Sequence, residues 1–195
     1  MDIGKILGGI QTVDLLIVLY FLGFFVLGFA QGTIRRLLGI LSILFSFLLA
    51  ATLAGPLADF LGANWRQFTP EYSYMVGFGT VFVASTVAFA LVIQGFYKPQ
   101  PLFQKARFAD EVIGGILGLV QAALILGAVI IILDSFFAIP GIPPDSDELP
   151  FLREIWTALD SSKIVEVFRE SLIPFFFLLT GLFIPDRLEA MYPSA

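Results

Sequence analysis

The 195-residue chain has no histidine and no cysteine. Those two absences exclude disulfides, thiol catalysis, zinc fingers, haem–histidine ligation and Ser–His–Asp triads. The lack of cysteine says nothing about redox compartment. Charge is scarce as well. Lys, Arg, Asp and Glu make up 14% of the residues, where soluble domains carry roughly 25%. With 11 bases and 16 acids, a soluble protein of this size could not cover its surface.

What fills the chain instead is apolar. Hydrophobic residues reach 58%, with 22 Phe and 18 Gly, and the mean hydropathy is +0.93. Lipid is therefore the solvent for most of the chain. The net charge of −5 argues against a nucleic-acid partner, because phosphate binding needs a clustered basic face. The charge is unevenly placed: residues 1–134 hold seven bases and seven acids, residues 135–195 four bases and nine acids.

Crossing about 30 Å of hydrocarbon takes ~20 mostly apolar helical residues. Four stretches meet that need, at residues 13–30, 37–61, 74–97 and 112–133. Pro56 is expected to bend or fray the end of the second. Residues 135–150 contain the run Pro140-Gly141-Ile142-Pro143-Pro144 and several acids, and read as an exposed acidic linker. Beyond it, residues 151–195 read as an interfacial C-terminal segment. Leu152, Ile155, Trp156 and Leu159 fall on one helical face, and Ser161 or Ser162 is placed to cap a following helix. Residues 172–184 are apolar but only 13 long, and Pro174 interrupts them. They suit a half-inserted or interfacial segment, with a fifth span as the alternative. The expected fold class is all-α: a polytopic helical membrane protein with four transmembrane helices plus C-terminal interfacial or re-entrant amphipathic helices.

Bases near the span ends set orientation. Arg35 and Arg36 follow the first span, and Lys98, Lys105 and Arg107 follow the third; Lys5, Arg66 and the more distant Arg153 lie on the other side. The asymmetry places both basic loops in the cytoplasm and both termini outside. Gly28-Phe29-Ala30 superficially resembles a signal-cleavage site, but the apolar stretch before it is too long and little charge precedes it. The first span is read as retained.

Between lipid-embedded helices, close backbone packing replaces apolar burial as the driving force. Small residues recur at four-residue spacing at Ser42, Ser46, Ala50, Ala54 and Ala58, at Gly114, Gly118 and Ala122, at Gly28 and Gly32, and at Ala84 and Ala88. Gln31, Gln94 and Gln121 could bond between helices. Ionisable residues in or beside spans are functional candidates. Asp14, Asp59 and Asp134 all fall toward the outer face. They form either a cluster for a cation or basic partner segment, or plain helix ends touching water. Arg35 and Arg36 are either topology determinants that snorkel to headgroups or partners for an anionic lipid, Asp110 or Glu111.

Several of these residues together resemble the colicin V production protein (CvpA) family: Asp14 opening span one, the Gly32-Thr33-Ile34-Arg35 turn, Asp110 with Gly114 and Gly118, Leu133-Asp134-Ser135, and Ser171-Leu172-Ile173-Pro174. The resemblance covers residues 13–175 or so. It departs at Gln31 and Arg36, where the family has a base and an acid, and at Gln121, where it often has a base. It implies a bacterial inner-membrane protein of four spans linked to colicin V production or export and to envelope upkeep, with no agreed biochemical activity.

No catalytic, cofactor or metal site is expected. The favoured function is a non-enzymatic membrane scaffold or accessory factor, with the lipid bilayer and a membrane protein or second copy as partners. The alternative is a small channel or transporter component lined by Ser42, Ser46, Ser85, Thr86 and Gln121.

Overall fold

The computed structural model describes residues 12–65, 68–96, 107–139, 148–180 and 188. Among them there is no strand. Four long helices, α1 (Thr12–Gln31), α2 (Thr33–Asn64), α3 (Pro70–Phe96) and α4 (Arg107–Phe137), are each long and apolar enough to cross a membrane. Three short helices follow: α5 (Pro150–Asp160), α6 (Lys163–Val167) and α7 (Ile173–Thr180), with a π-helical turn at Phe168–Leu172 joining α6 to α7.

The helices outrun the apolar stretches that announced them, because helical geometry continues past the hydrocarbon wherever backbone groups can stay paired. Two corrections follow. The turn after α1 is one residue long, not a loop. Gly32 alone breaks the helix, at φ 76°, a left-handed conformation that glycine adopts without steric cost. Arg35 and Arg36 therefore lie in the first turn of α2. Likewise Ser135, Phe136 and Phe137 belong to α4 and are buried rather than part of a linker. Lys98, Lys105 and the Pro-rich run 140–147 lie outside the described residues.

Pro56 lies inside α2, which continues to Asn64. Pro174 does not end its helix either. Lacking an N–H, it cannot bond one turn back, and the widened π turn sits directly upstream of it, where such bulges absorb a misfit.

Packing follows the small residues. The α1–α4 crossing is a backbone contact: a Cβ added at Gly28 would lie 2.2 Å from the Gly114 carbonyl oxygen, and one at Gly118 would lie 2.2 Å from the Phe24 carbonyl oxygen. Along α2, Ser46, Ala50 and Ala54 are fully buried. A Cβ at Gly77 of α3 would lie 3.3 Å from the Ala54 carbonyl, so this ridge faces α3. Ala84 and Ala88 of α3 instead face outward. Much of the remaining apolar surface, including Leu16, Leu22, Val83 and Leu91, points away from the bundle, as lipid-facing residues must. α4 is the hub, touching α1, α2 and α3.

Candidate functional site

The two ends of the bundle differ. At the Gly32 end, the Thr33 hydroxyl donates to the Asp110 backbone carbonyl at 3.0 Å. The Asp110 carboxylate covers Gly32, where an added Cβ would lie 2.6 Å from Oδ2. Gly32, Asp110 and Gly114 thus form one tight junction of α1, α2 and α4. Arg35 is half-buried on the first turn of α2. Arg36 does not snorkel. It is 4% exposed, donates from Nη1 to Gln121 Oε1 at 2.6 Å, and stacks 5.7 Å from the Phe24 ring centroid. Two positions that depart from the family pattern, 36 and 121, therefore touch one another. Glu111 pairs with Arg107 one turn away at 3.0 Å.

The opposite end carries the densest polar chemistry. Asp134, near the end of α4, is 2% exposed. Its carboxylate accepts two bonds from Arg169, from Nε at 2.8 Å and Nη2 at 2.7 Å, and a third from Trp156 Nε1 at 2.8 Å. Arg169 also donates from Nη1 to Asp160 Oδ1 at 2.6 Å. Bidentate arginine–carboxylate geometry of this kind fixes orientation as well as supplying energy. Burial by itself would lower the Arg169 pKa; the hydrogen bonds to Asp134 and Asp160, with their charges, outweigh it and leave the pKa raised. A raised pKa adds stability that is complete below the unfolded value and fades only above it. The arginine therefore holds its charge at every pH the protein meets.

Asp14, near the start of α1, completes this end. It accepts from the Ser162 hydroxyl at 2.5 Å and from the Ile164 N–H at 3.4 Å. Ser162 in turn accepts from the Val165 N–H at 3.2 Å, the N-cap of α6. On the far side, Glu148 holds Arg153 through two bonds of 2.8 and 2.9 Å, and Arg153 lies 5.0 Å from the Phe137 ring centroid. The Leu149 N–H donates to the Tyr72 hydroxyl oxygen at 2.9 Å. Glu148 is thus buried and paired, not part of an exposed acidic run.

These bonds share one consequence. Every one of them ties residues 148–169 to the ends of α1, α3 and α4, or holds the tied segment in shape. Apolar contacts finish the attachment: Trp156 packs 5.8 Å from Phe137, Phe176 packs 5.4 Å from Phe47, and Ile173 and Phe177 are buried. The structure brings Asp14 and Asp134 to one end, where the groups they hold, Ser162 and Arg169, come from their own chain. Asp59 is exposed on α2. Ser171 is exposed on the π turn, and Pro174 is half-buried in α7.

Sequence reasoning missed Arg169 and Tyr72, and placed Trp156 on an apolar helical face without its bond to Asp134. One signal existed: an acid at the end of a long apolar helix, and an arginine seven residues beyond the capping Ser162, on the π turn that follows α6. Two of the serines considered as pore lining bond within their own helices. Ser42 and Ser85 donate to their own helices, at the Leu38 and Val81 carbonyls, while Ser46 is buried between helices.

Two smaller effects check this arrangement. Asp14→Ala removes the acceptor of the Ser162 hydroxyl and should cost about 1.5–3 kcal/mol, the range for hydrogen bonds to a charged group. Tyr72→Phe leaves the Leu149 N–H without its acceptor and should cost about 1 kcal/mol. Thermal unfolding in one detergent, with wild-type protein alongside, measures both.

The profile of the colicin V production protein family matches residues 13–172. The match begins beside Asp14 and ends just beyond Arg169, so it takes in the bundle and most of the attached segment. No curated protein and no solved structure matches the chain significantly.

Proposed function

For a chain that belongs to the colicin V production protein family, we propose the role of a non-catalytic scaffold or accessory factor in the bacterial inner membrane, serving toxin production or export and envelope upkeep. The observation that carries this reading is the use made of the polar side chains. Asp14, Asp134, Glu148, Arg153 and Arg169 are occupied in fastening the C-terminal segment across one end of the bundle. They act as fasteners, and the product of the fastening is a shaped, rigid end. The excess of bases at the Gly32 end supports placing that end in the cytoplasm, with the fastened end and both termini outside.

On this reading the outward end is where a partner is met. α5 presents Phe151 and Ile155, 53% and 45% exposed, at the level where apolar side chains contact headgroups or a neighbouring membrane protein. Crosslinking in native membranes from a photoreactive residue at 151 or 155 should recover one specific membrane protein or a second copy of this chain. Recovery of lipid adducts and monomer alone would contradict the scaffold role.

A further inference from the structure

Arg36 poses an electrostatic problem that the fold leaves open. Its guanidinium is buried, yet the side chain it bonds, Gln121, is neutral, and its Nε has no hydrogen-bond partner. Among the described residues no carboxylate stands within ion-pair distance of it; the salt bridges there belong to Arg107, Arg153 and Arg169. The neighbouring charge is Arg35, of the same sign. An uncompensated cation inside a membrane bundle is strongly disfavoured and marks a place where something neutralises it.

The space beside it suggests what. A groove of about 560 Å³ with almost wholly apolar walls runs between α2 and α4 and is bounded by the C-terminal segment. Its α2 wall includes Ile40, Leu44 and Phe47, which continue the helical stripe of Arg36 at i+4, i+8 and i+11. Its α4 wall includes Leu124 and Ala128, at i+3 and i+7 from Gln121. The Arg36–Gln121 pair therefore stands at one end of the groove. Helical side chains lean toward the helix N-terminus, which turns Arg36 toward the membrane face at Gly32 while the groove runs inward. Phe175, 58% exposed, stands at its mouth.

A cationic head position above a long apolar trough fits an amphiphile of opposite polarity. We propose that this is a binding site for an anionic phospholipid: Arg36, supported by Arg35, receives the headgroup phosphate, and one acyl chain lies along the α2–α4 groove. The headgroup position lies at the opposite end of the bundle from the Asp14 and Asp134 fasteners, although the attached segment lends Ile173 and Phe176 to the groove wall; failure of lipid binding would leave the scaffold reading untouched.

The test uses the full chain in mild detergent, with lipid retention read by native mass spectrometry and unfolding temperature read in parallel. Added probes are phosphatidylglycerol, phosphatidylcholine and inorganic phosphate. Wild-type protein should retain one phosphatidylglycerol in preference to phosphatidylcholine and gain thermal stability from it. Arg36→Gln should weaken retention by about tenfold or more. Without anionic lipid it should melt no lower than wild type, since it buries no charge. Gly127→Phe, which fills the groove from α4 without touching the charge, should also weaken retention. Equal retention of the two lipids, or undiminished phosphatidylglycerol binding by both variants, would overturn the proposal. Displacement of the lipid by inorganic phosphate at equal concentration would reassign the site to a simple anion and overturn it too.

Discussion

Asp134→Ala should destabilise the protein by about 3–5 kcal/mol, the cost of removing one partner of a buried ion pair. The loss has three parts. Arg169, whose side chain is 23% exposed, keeps only its bond to Asp160; Trp156 Nε1 loses its acceptor; and the C-terminal segment loses its central tether. Asp134→Asn should cost less, because the amide oxygen can still accept from Trp156. The Asp134→Ala, Arg169→Ala double variant should be less destabilised than the two single losses added together, since no unpaired charge then remains. Residues in direct contact couple in this way. Unfolding curves for the four proteins of the cycle, in one detergent, give the coupling energy. Additive losses would mean that the pair does not form.

Gly118→Ala should be as damaging at the other end of the scale of chemistry, a single methyl group. Its Cβ would lie 2.2 Å from the Phe24 carbonyl oxygen and 3.0 Å from the carbonyl carbon. Backbone cannot yield as a flexible side chain can, so α1 must move off α4. Overpacking costs about 1–3 kcal/mol when neighbours can shift and more when they cannot; we expect about 3 kcal/mol or more. Gly28→Ala, 2.2 Å from the Gly114 carbonyl oxygen, should behave alike. Gly23→Ala is the control: it lies on the same helix as Gly28 with nothing within 4 Å of the new atom. It should be neutral or slightly stabilising, since alanine is the better helix former. Equal tolerance at Gly23 and Gly118 would dissolve the backbone seam between α1 and α4.

The helices were legible in the sequence because the requirement behind them is local: a stretch either supplies enough consecutive apolar residues to cross a bilayer or it does not. The glycine seam was legible as a spacing, though not its partner. The four-residue repeat of Gly114 and Gly118 does not say that they meet Phe24 and Gly28. Ala84 and Ala88 carry the same spacing and face outward.

Pairings across long stretches of chain were hidden for the same reason. Asp134 and Arg169 are separated by a Pro-rich run, and nothing local to either chooses the other. Arg36 reads either as a snorkelling base or as a partner for an anionic lipid, Asp110 or Glu111, because its own segment places it at a membrane face; its burial is imposed by Gln121 and Phe24, on two other helices. Ser162 was the exception among the polar fasteners. N-capping is a local rule, and of the two serines that the sequence offered as caps, Ser162 is the one used, its hydroxyl also donating to Asp14.

The central claim is that the C-terminal segment is fastened to the end of the bundle where α1 begins. The native absence of cysteine makes a direct measurement simple. Thr12→Cys and Lys163→Cys, both at exposed positions on helices that touch, carry spin labels in the full chain reconstituted into lipid. Pulsed electron resonance should then return one short, narrow distance distribution, broadened when Asp14 and Asp134 are both replaced by alanine. A broad, long distribution in the otherwise unaltered chain would contradict the account.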